Sequence, residues 1–329
     1  MAPRPSLSVV IPTYNRPELL ARCLEGFAGQ TVPPESLEIV IVDDGSDAPL
    51  DPVIAAFDGL LNLRLERRDH GAAAARNVGV VLSSADHLIL FDDDQSPLPD
   101  MAERCLAFHR QFPDEEDFRM LRVVPDTRIP RSAVSFAMFE ATQVFHYPSP
   151  GRRRLQGGFW GGAITCKRSI FRYGLFNPDY VMAEDAELGM RIDQWLHLVE
   201  HLETPADALQ LRTLTVKQLL RRWCAMGYYH LVMQRDFPRL IEIGGRRVYR
   251  DAEKIIARAT PLIAAAAELE KQAVQLGELG PGPIDQARSE VLAAFLEGVR
   301  VAAETAQCIG WLAARHDERL SDALERNFV

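Results

Sequence analysis

Residues 87–97 read HLILFDDDQSP, in which a run of apolar residues ends abruptly in three consecutive carboxylates. The residues before the aspartates predict a short strand buried on both faces. Adjacent like charges repel each other, and ionised groups are costly to keep beside a core. Either Asp92, Asp93 and Asp94 form a solvated acidic turn, or they bind a cation that removes the repulsion.

The sequence around this stretch repeats a pattern of buried strand and amphipathic or alanine-rich helix. The predicted strands are 7–12, 37–46, 62–68 and 87–91, and the predicted helices are 17–30, 71–84 and 99–112. Repeated strand–helix units with continuous apolar strands predict a mostly parallel sheet with helices on both faces. The expected fold class is therefore α/β, with a Rossmann-like sheet.

Three polar segments follow predicted strands: PTYN (12–15), DDGS (43–46) and DDDQ (92–95). The carboxyl ends of parallel strands meet at one edge of a sheet, and ligands bind just beyond that edge. Carboxylates there suit Mg²⁺ or Mn²⁺, which prefer oxygen ligands and complete their shell with water and phosphate. The sequence therefore predicts a metal that bridges this edge to a diphosphate.

After about residue 236 the pattern becomes purely helical. Apolar residues step by threes and fours over 255–276 and again over 292–309, and the breaker GELGPGPID (277–285) lies between them. This arrangement predicts a hairpin of two helices. We expect a ligand-binding domain over 1–235 and a C-terminal α-helical extension over 236–329, which packs within the chain or forms a homodimer or partner interface.

Composition narrows the class of protein. The chain has 329 residues and a net charge of −9, which disfavours a nucleic-acid binder with a broad basic surface. Its five scattered cysteines fit reduced thiols in the cytosol better than a disulfide framework. Neither a signal peptide nor an apolar run of the roughly 20 residues that span a membrane is apparent. We expect a cytoplasmic protein, with contact to the inner face of the membrane left open.

Seven segments resemble the family 2 glycosyltransferases, which have the nucleotide-sugar-binding GT-A fold. They are SVVIPTYNRPELL, EIVIVDDGS, GAAAARNVG, LILFDDDQSP, GGAITCKRSIF, AEDAELGMRI and LTVKQLLRRW. All seven occur in the family's order and at its usual spacings, over roughly residues 6–230, and the likeness does not reach the last hundred residues. The resemblance implies transfer of one sugar from a nucleoside diphosphate sugar to an acceptor hydroxyl.

The resemblance also implies where the nucleotide binds. The residues expected around the nucleoside are Pro12, Thr13, Tyr14, Asp43, Asp44 and Arg76. Asp44 would accept a hydrogen bond from the base, Asp43 would support it, and Arg76 would reach the nucleotide. Because a carboxylate can accept the imide proton of uracil, a UDP-sugar is the default donor; thymine and guanine remain alternatives.

The aspartates after the fourth strand match the family's DxD pair. The resemblance places Asp92 near the ribose and Asp94 on the Mn²⁺ or Mg²⁺ ion, while Asp93 shares either task. Many relatives have a histidine shortly before the last LT pair, where it completes the metal site. This chain has Gln210 instead, whose oxygen is a poorer ligand, so the third protein ligand is left open.

A second acidic pair, Glu184 and Asp185, begins a predicted helix. Acids in a first helical turn stabilise the helix dipole by about 0.3–1 kcal/mol, which is the structural interpretation. The resemblance implies instead that Asp185 is the general base, with Glu184 as second candidate. It would deprotonate the acceptor while the diphosphate leaves from the opposite face, so the anomeric configuration inverts.

Two further segments carry candidate residues. QLLRRW (218–223) has one residue more than the QxxRW signature of processive synthases, which favours a non-processive enzyme. Arg221 or Arg222 would hold the diphosphate or be solvated. The loop GRRRLQGGFWGG (151–162) is predicted to be a flexible lid whose Trp160 stacks on a sugar, and its arginines would meet an anionic acceptor or solvent.

Two other functions stay open. A nucleotidyltransferase would also use a Rossmann-like sheet with carboxylates, but PTYNRPE (12–18) stands where those enzymes carry a glycine-rich basic loop. A nucleotide-sugar-binding or scaffold protein would keep the fold and could dispense with Asp185. The acceptor, whether a glycan, a lipid-linked molecule or a small molecule, is not specified by these residues.

Overall fold

The computed structural model describes residues 4–68, 71–126, 131–140, 150–155, 159–238, 249, 251–279 and 286–328. The chain divides into two compact units. The first comprises Met1–Val124 and Tyr147–Arg212, and the second comprises Pro125–His146 and Thr213–Val329.

The described strands and helices are numbered in chain order. The strands are β1 (Leu7–Thr13), β2 (Leu37–Asp43), β3 (Leu63–Arg67), β4 (His87–Phe91), β5 (Gln95–Pro97), β6 (Asp117–Met120), β7 (Val123–Pro125), β8 (Arg131–Ser132), β9 (Gly151–Arg154), β10 (Ala163–Lys167), β11 (Val199–Leu202), β12 (Ala208–Gln210) and β13 (Glu278–Leu279). The helices are α1 (Pro17–Ala28), α2 (Asp51–Ala55), α3 (Ala72–Leu82), α4 (Met101–Gln111), α5 (Ala133–Glu140), α6 (Glu184–Leu196), α7 (Val216–Asp236), α8 (Ala252–Arg258), α9 (Leu262–Leu276), α10 (Gln286–Arg315) and α11 (Leu320–Phe328), with 3₁₀ turns at Pro34–Ser36 and Arg168–Tyr173.

The first unit is built on an eight-stranded sheet of order β3-β2-β1-β4-β10-β6-β11-β9. β3, β2, β1 and β4 are mutually parallel, whereas β10 runs antiparallel to both β4 and β6. Every residue of β1 is buried, as expected for a strand covered on both faces. The predicted α/β class is confirmed, and the strand ends that carry PTYN, DDGS and DDDQ belong to neighbouring parallel strands.

α3 packs closely on β1, and this contact fixes the position of the helix relative to the strand ends. Gly79 of α3 lies directly against Val10, and a Cβ at this glycine would overlap the valine side chain. The helix begins after Gly71, whose φ of 88° lies in the left-handed region that glycine adopts without a steric penalty. Because the start of α3 and its contact with β1 are both fixed, the position of Arg76, one turn into the helix, is fixed as well.

The second unit is helical, with α7, α9 and α10 sharing one apolar core that includes Leu219, Leu269 and Phe295. The first predicted helix, 255–276, is two helices, because the backbone leaves the helical conformation at Ala259 and Pro261 before α9 begins at Leu262. The predicted breaker 277–285 lies largely outside the described residues. Within the described chain, no helix is both long and apolar enough to span a bilayer.

The division into units differs from the predicted boundary at residue 235. The predicted boundary places α7 with the sheet, but its buried residues Leu219, Leu220 and Cys224 are part of the helical core. The sequence shows that α7 is amphipathic, and its N-terminus has the Thr215–Gln218 capping box. It does not show which apolar partner the helix selects.

We expect Gly310→Ala to destabilise the second unit by about 1–3 kcal/mol, the usual cost of overpacking. α10 approaches α7 so closely that a Cβ at Gly310 would overlap the carbonyl oxygen of Cys224, and backbone cannot move aside easily. Gly298→Ala is the matched control on the same helix, because its new methyl meets only the end of the Leu269 side chain, at 2.8 Å. Urea unfolding of both variants tests this; equal stability would contradict it.

Candidate active site

Asp93 anchors the end of β4 to the end of β1. Its side chain is buried, Oδ2 accepts a hydrogen bond from the Thr13 hydroxyl at 2.7 Å, and Oδ1 accepts one from Arg16 at 2.9 Å. Burial raises the pKa of Asp93, and Arg16 and Thr13 oppose that rise. Both oxygens are thus bound by protein donors, so the nucleotide role predicted for Asp93 and Thr13 stays a prediction.

Asp94 has a different environment from its neighbour. Its Oδ2 lies 3.8 Å from Nη1 of Arg16 and 3.9 Å from Nη1 of Arg212, both beyond hydrogen-bond distance. Burial and then the charges of Asp92 and Asp93 raise the pKa of Asp94 to about 6. Two guanidinium groups therefore lie near the Asp94 carboxylate without donating a hydrogen bond to it.

Arg76 joins the two acidic motifs. Its Nη2 donates to Oδ1 of Asp92 at 2.8 Å, and its Nη1 donates to Oε1 of Glu184 at 2.8 Å. The guanidinium is almost fully buried. One side chain from α3 therefore bridges the end of β4 and the start of α6. The nucleotide contact that the resemblance implies for Arg76 stays a prediction.

Two consecutive glycines complete this junction. The N–H of Gly161 donates to Oδ2 of Asp185 at 3.0 Å, and the carbonyl of Gly162 accepts the N–H of Asp92 at 3.0 Å. A Cβ at Gly162 would overlap the Asp92 carboxylate. The DxD aspartates and the Glu184–Asp185 pair therefore lie in one place, and we call Asp92, Asp93, Asp94, Glu184 and Asp185 together the carboxylate cluster.

The start of α6 sets the electrostatics of the second acidic pair. Ala183 has φ of 63°, a left-handed conformation that is unusual for a residue with a Cβ and is often found at functional sites. Burial and then the charge of Asp185 raise the pKa of Glu184 to about 7, against the effect of Arg76. Burial also raises the pKa of Asp185, whose Oδ1 accepts the Ala186 N–H at 2.7 Å.

The predicted base-binding residues lie at the ends of β1 and β2. Oδ1 of Asp44 accepts the N–H of Gly71 at 2.8 Å, and the Asp44 side chain is half-buried. Asp43 is buried and accepts the N–H of Ser46 at 2.9 Å, so it shapes the turn that carries Asp44. This geometry agrees with a supporting role for Asp43.

The other nucleoside candidates differ in accessibility. Pro12 is buried within β1, whereas the Tyr14 side chain is 52% exposed. Trp160 is half-buried and packs against the core of the first unit. Arg221 and Arg222 lie on α7 in the second unit, and their predicted contact with the diphosphate stays a prediction.

Part of the predicted lid has regular structure. Residues 151–154 form β9, an edge strand paired with β11, and Gln156–Gly158 lie outside the described residues. Arg153 binds Glu200 at 2.5 Å, and Arg154 lies 3.3 Å from Asp193. These ion pairs are not evident in the sequence, because Glu200 and Asp193 are distant from the arginines along the chain.

Gln210, the residue in place of the family's histidine, lies beside Asp94. Its Nε2 donates to the main-chain carbonyl of Asp94 at 3.1 Å, and within the described chain its buried Oε1 accepts no hydrogen bond. The described residues contain no group of three or more His, Cys, Asp or Glu arranged to hold a metal. The oxygens available here, a carboxylate and an amide carbonyl, are nevertheless of the kind that Mg²⁺ and Mn²⁺ bind.

We expect Arg76→Met to lower the free energy of unfolding by about 3 kcal/mol, because it leaves Glu184 buried without its counter-charge. Glu184 can take up a proton, so the loss should be smaller at pH 5 than at pH 8. Arg64→Met, at an exposed position of β3, is the control and should change stability by less than about 0.5 kcal/mol. Equal losses in the two variants would show that Arg76 has no such role.

Comparison with known proteins gives a consistent result. The profile of Glycosyl transferase family 2 matches residues 8–166. Validoxylamine A glucosyltransferase from Streptomyces hygroscopicus subsp. limoneus is 31% identical over 227 residues, which cover 57% of this chain and 48% of that protein. Glycosyltransferase AglE from Haloferax volcanii is 35% identical over 106 residues, 31% of this chain and 35% of that protein. The chain thus spans about half or less of the length of these relatives.

Solved structures resemble nearly the whole chain. The mannosyltransferase PcManGT from Pyrobaculum calidifontis, in complex with GDP-Man and Mn²⁺, has a TM-score of 0.51 at 18% identity, covering 96% of this chain and 89% of that one. S. aureus TarS 1–349 has a TM-score of 0.50 at 14% identity, covering 95% and 92%. At these identities the likeness concerns the fold.

Proposed function

Because residues 8–166 belong to glycosyltransferase family 2 and the chain has the GT-A fold, we propose that this protein transfers a single sugar from a nucleoside diphosphate sugar to an acceptor hydroxyl. The observation that carries the proposal is the bridge by Arg76, which binds Asp92 and Glu184 at 2.8 Å each. It supports one site that contains both the acids for the donor and the acid for the acceptor.

The proposed donor is a UDP-sugar. Asp44 presents a half-buried carboxylate at the end of β2, and a carboxylate can accept the imide N–H of uracil. TarS 1–349 has been solved with UDP-GlcNAc, which agrees with this choice, whereas PcManGT was solved with GDP-Man. Guanine is therefore the principal alternative base.

The proposed cofactor is Mn²⁺ or Mg²⁺, held by Asp94 with Asp92 and the carbonyl oxygen of Gln210. The fit rests on the buried, unbonded Oε1 of Gln210 and on the raised pKa of Asp94, which a cation would lower again. When bound, the ion would neutralise the charge that gathers on the departing diphosphate. Arg16 and Arg212, which face Asp94, would contribute to the same end.

Asp185 is the proposed general base. Its carboxylate removes the proton of the acceptor hydroxyl as that oxygen bonds to the anomeric carbon, while the bond to the diphosphate breaks on the opposite face. The product is an inverted glycoside, a nucleoside diphosphate and a proton on Asp185. The Gly161 and Ala186 N–H groups hold the carboxylate in position, and each carboxylate oxygen has further lone pairs to accept the proton.

Stability should depend on pH through Glu184. The pKa of this acid is about 7 in the folded chain against an ordinary value of 4.5. Between these values the folded state keeps a proton that the unfolded state has released, so stability falls as pH rises. Relative to Glu184→Gln, the wild type should lose on the order of 2 kcal/mol between pH 4.5 and 7.5. Urea unfolding across this range measures the difference, and a flat difference would contradict the assignment.

Release of nucleoside diphosphate tests the proposed reaction. The full chain is incubated with Mn²⁺ and, in turn, UDP-glucose, UDP-GlcNAc, GDP-mannose and dTDP-glucose, with and without pooled hydroxyl acceptors. Acceptor-stimulated release from a UDP-sugar supports the proposal. Pyrophosphate release from a nucleoside triphosphate would indicate a nucleotidyltransferase, and binding without turnover would indicate a nucleotide-sugar-binding protein.

A further inference from the structure

A polar cavity lies at the end of the central sheet opposite to the carboxylate cluster. Its volume is about 420 Å³, and it is lined by Asp86, His87, Lys167, Arg168, Ser169 and Arg172. His87 begins β4 and pairs in register with Lys167, the last residue of β10. Since β4 runs from this cavity to the carboxylate cluster, the two lie about one strand length, roughly 16 Å, apart.

The cavity is positively charged in a protein whose net charge is −9. Three of its six lining residues are cationic, and one, Asp86, is anionic. Asp86 is paired from outside the cavity by Arg4, whose Nη2 lies 2.8 Å from Oδ1. Burial lowers the pKa of His87, whose ring stacks on His109 at 4.2 Å and forms a wall of the cavity.

The three cationic side chains differ in how many hydrogen bonds and ion pairs they form with the protein. Lys167 donates to the carbonyls of Phe112 and Asp117 at 2.5 and 3.0 Å, which uses two of its three N–H groups. Arg172 binds Glu115 at 2.5 Å. Arg168 is the least committed, because its Nη2 lies 4.0 Å from Asp86, beyond hydrogen-bond distance.

Two of the nearby acids, Asp117 and Glu115, are bound elsewhere, and Asp114 and Glu116, whose charges also act on Lys167, do not line the cavity. Asp117 contacts Lys167 through its backbone, while its carboxylate accepts from His201 at 2.5 Å. Glu115 is taken by Arg172. In the described part of the chain the buried Nε of Arg168 has no hydrogen-bond partner. The cavity thus offers donors in excess of the acceptors that the protein itself supplies.

We propose that this cavity is a second binding site, which takes the phosphate group of a small molecule through Arg168, Lys167 and Ser169. A guanidinium presents paired donors that match phosphate oxygens, the ammonium adds a point charge, and the serine hydroxyl adds a neutral donor. The volume falls within the roughly 300–1,000 Å³ of small-molecule sites. The inference does not rest on the proposed sugar transfer, because no residue of the carboxylate cluster takes part.

Calorimetric titration of inorganic phosphate and of glycerol 3-phosphate into the full chain tests the site. Arg168→Gln should weaken binding about tenfold or more, the effect of losing a charge-assisted hydrogen bond. Ser169→Glu, at an exposed position, should weaken binding through repulsion while leaving the arginine in place. Arg300→Gln removes the same charge from an exposed position of α10 and should bind like the wild type.

A fourth variant, Arg212→Gln, separates the two ends of the sheet. If phosphate bound instead beside Asp94, Arg212→Gln would abolish binding and Arg168→Gln would not, which would overturn the proposal. Vesicles of phosphatidylcholine with and without phosphatidic acid distinguish a lipid headgroup from a soluble ester. Binding of either source that depends on Arg168 supports the site, and absence of binding by every probe refutes it.

Discussion

Asp185→Asn is expected to lower kcat by about 10²–10⁴-fold, the usual contribution of a positioned general base, while donor affinity changes little. The amide keeps the size of the side chain, and its oxygen can still accept the Gly161 N–H that Asp185 accepts at 3.0 Å. Its NH2 then faces the Ala186 N–H, which Asp185 accepts at 2.7 Å, so the variant should also lose about 1 kcal/mol of stability. It has no basic oxygen to take the acceptor proton. Steady-state kinetics with the best donor of the panel measures the loss, and donor titration by thermal shift checks that the site is intact.

Glu184→Gln is the matched control for this variant. The two acids are adjacent, both are partly buried, and both have a raised pKa. Glu184, however, is occupied by Arg76 at 2.8 Å, so we expect its amide to reduce activity by positioning alone and much less than Asp185→Asn. A larger loss of kcat for Glu184→Gln than for Asp185→Asn would make Glu184 the general base and Asp185 the positioning residue. If neither variant loses turnover, the acceptor is not deprotonated by this pair.

The sequence predicted the positions where strands end and therefore where acids meet. β4 is found at the predicted residues, 87–91. A short, continuous apolar run that stops at charged residues predicts a buried strand, and its end is therefore easy to place. Strand patterns alone do not bring Asp92 and Asp185 to one site, because nothing in their local sequence links them. Only the resemblance to the family predicts that the two acids lie together. The structure supplies the link, which is Arg76 together with two glycines.

Other elements could not be predicted from local patterns. β6 contains Asp117 and Arg119, which are charged yet buried, and so reads as a solvated segment. Arg119 is neutralised by Asp207 at 2.7 Å, a partner that lies far along the chain. Arg212 was missed for the same reason, because its relation to Asp94 is created by folding and leaves no spacing signal. Arg16 could have been predicted, because it directly follows the segment PTYN (12–15) at the end of β1.

Asp94→Asn is expected to lower kcat/KM by about 10²–10³-fold, the scale on which a single stabilising group at a developing charge acts, and at the same time to raise stability. Burial and the neighbouring aspartates raise the pKa of Asp94 to about 6, so at pH 7.5 the ionised carboxylate opposes folding of the ligand-free chain. Removing the charge removes that opposition. The melting temperature without metal should therefore rise, and the stabilisation that Mn²⁺ gives the wild type should be lost.

Asp93→Asn is the control that separates the effect of Asp94→Asn on activity from its effect on stability. Asp93 is also buried, but both of its oxygens accept protein hydrogen bonds, from Thr13 at 2.7 Å and Arg16 at 2.9 Å. The amide oxygen can still accept from Arg16 and its NH2 can donate to the Thr13 hydroxyl, which would reverse its role, but the negative charge that pairs with Arg16 is lost. This variant should therefore lose about 1–3 kcal/mol of stability. The adjacent aspartates should thus respond with opposite signs. If Asp94→Asn is also destabilising, or if it keeps full activity with Mn²⁺, Asp94 is a structural acid and the metal must be held elsewhere.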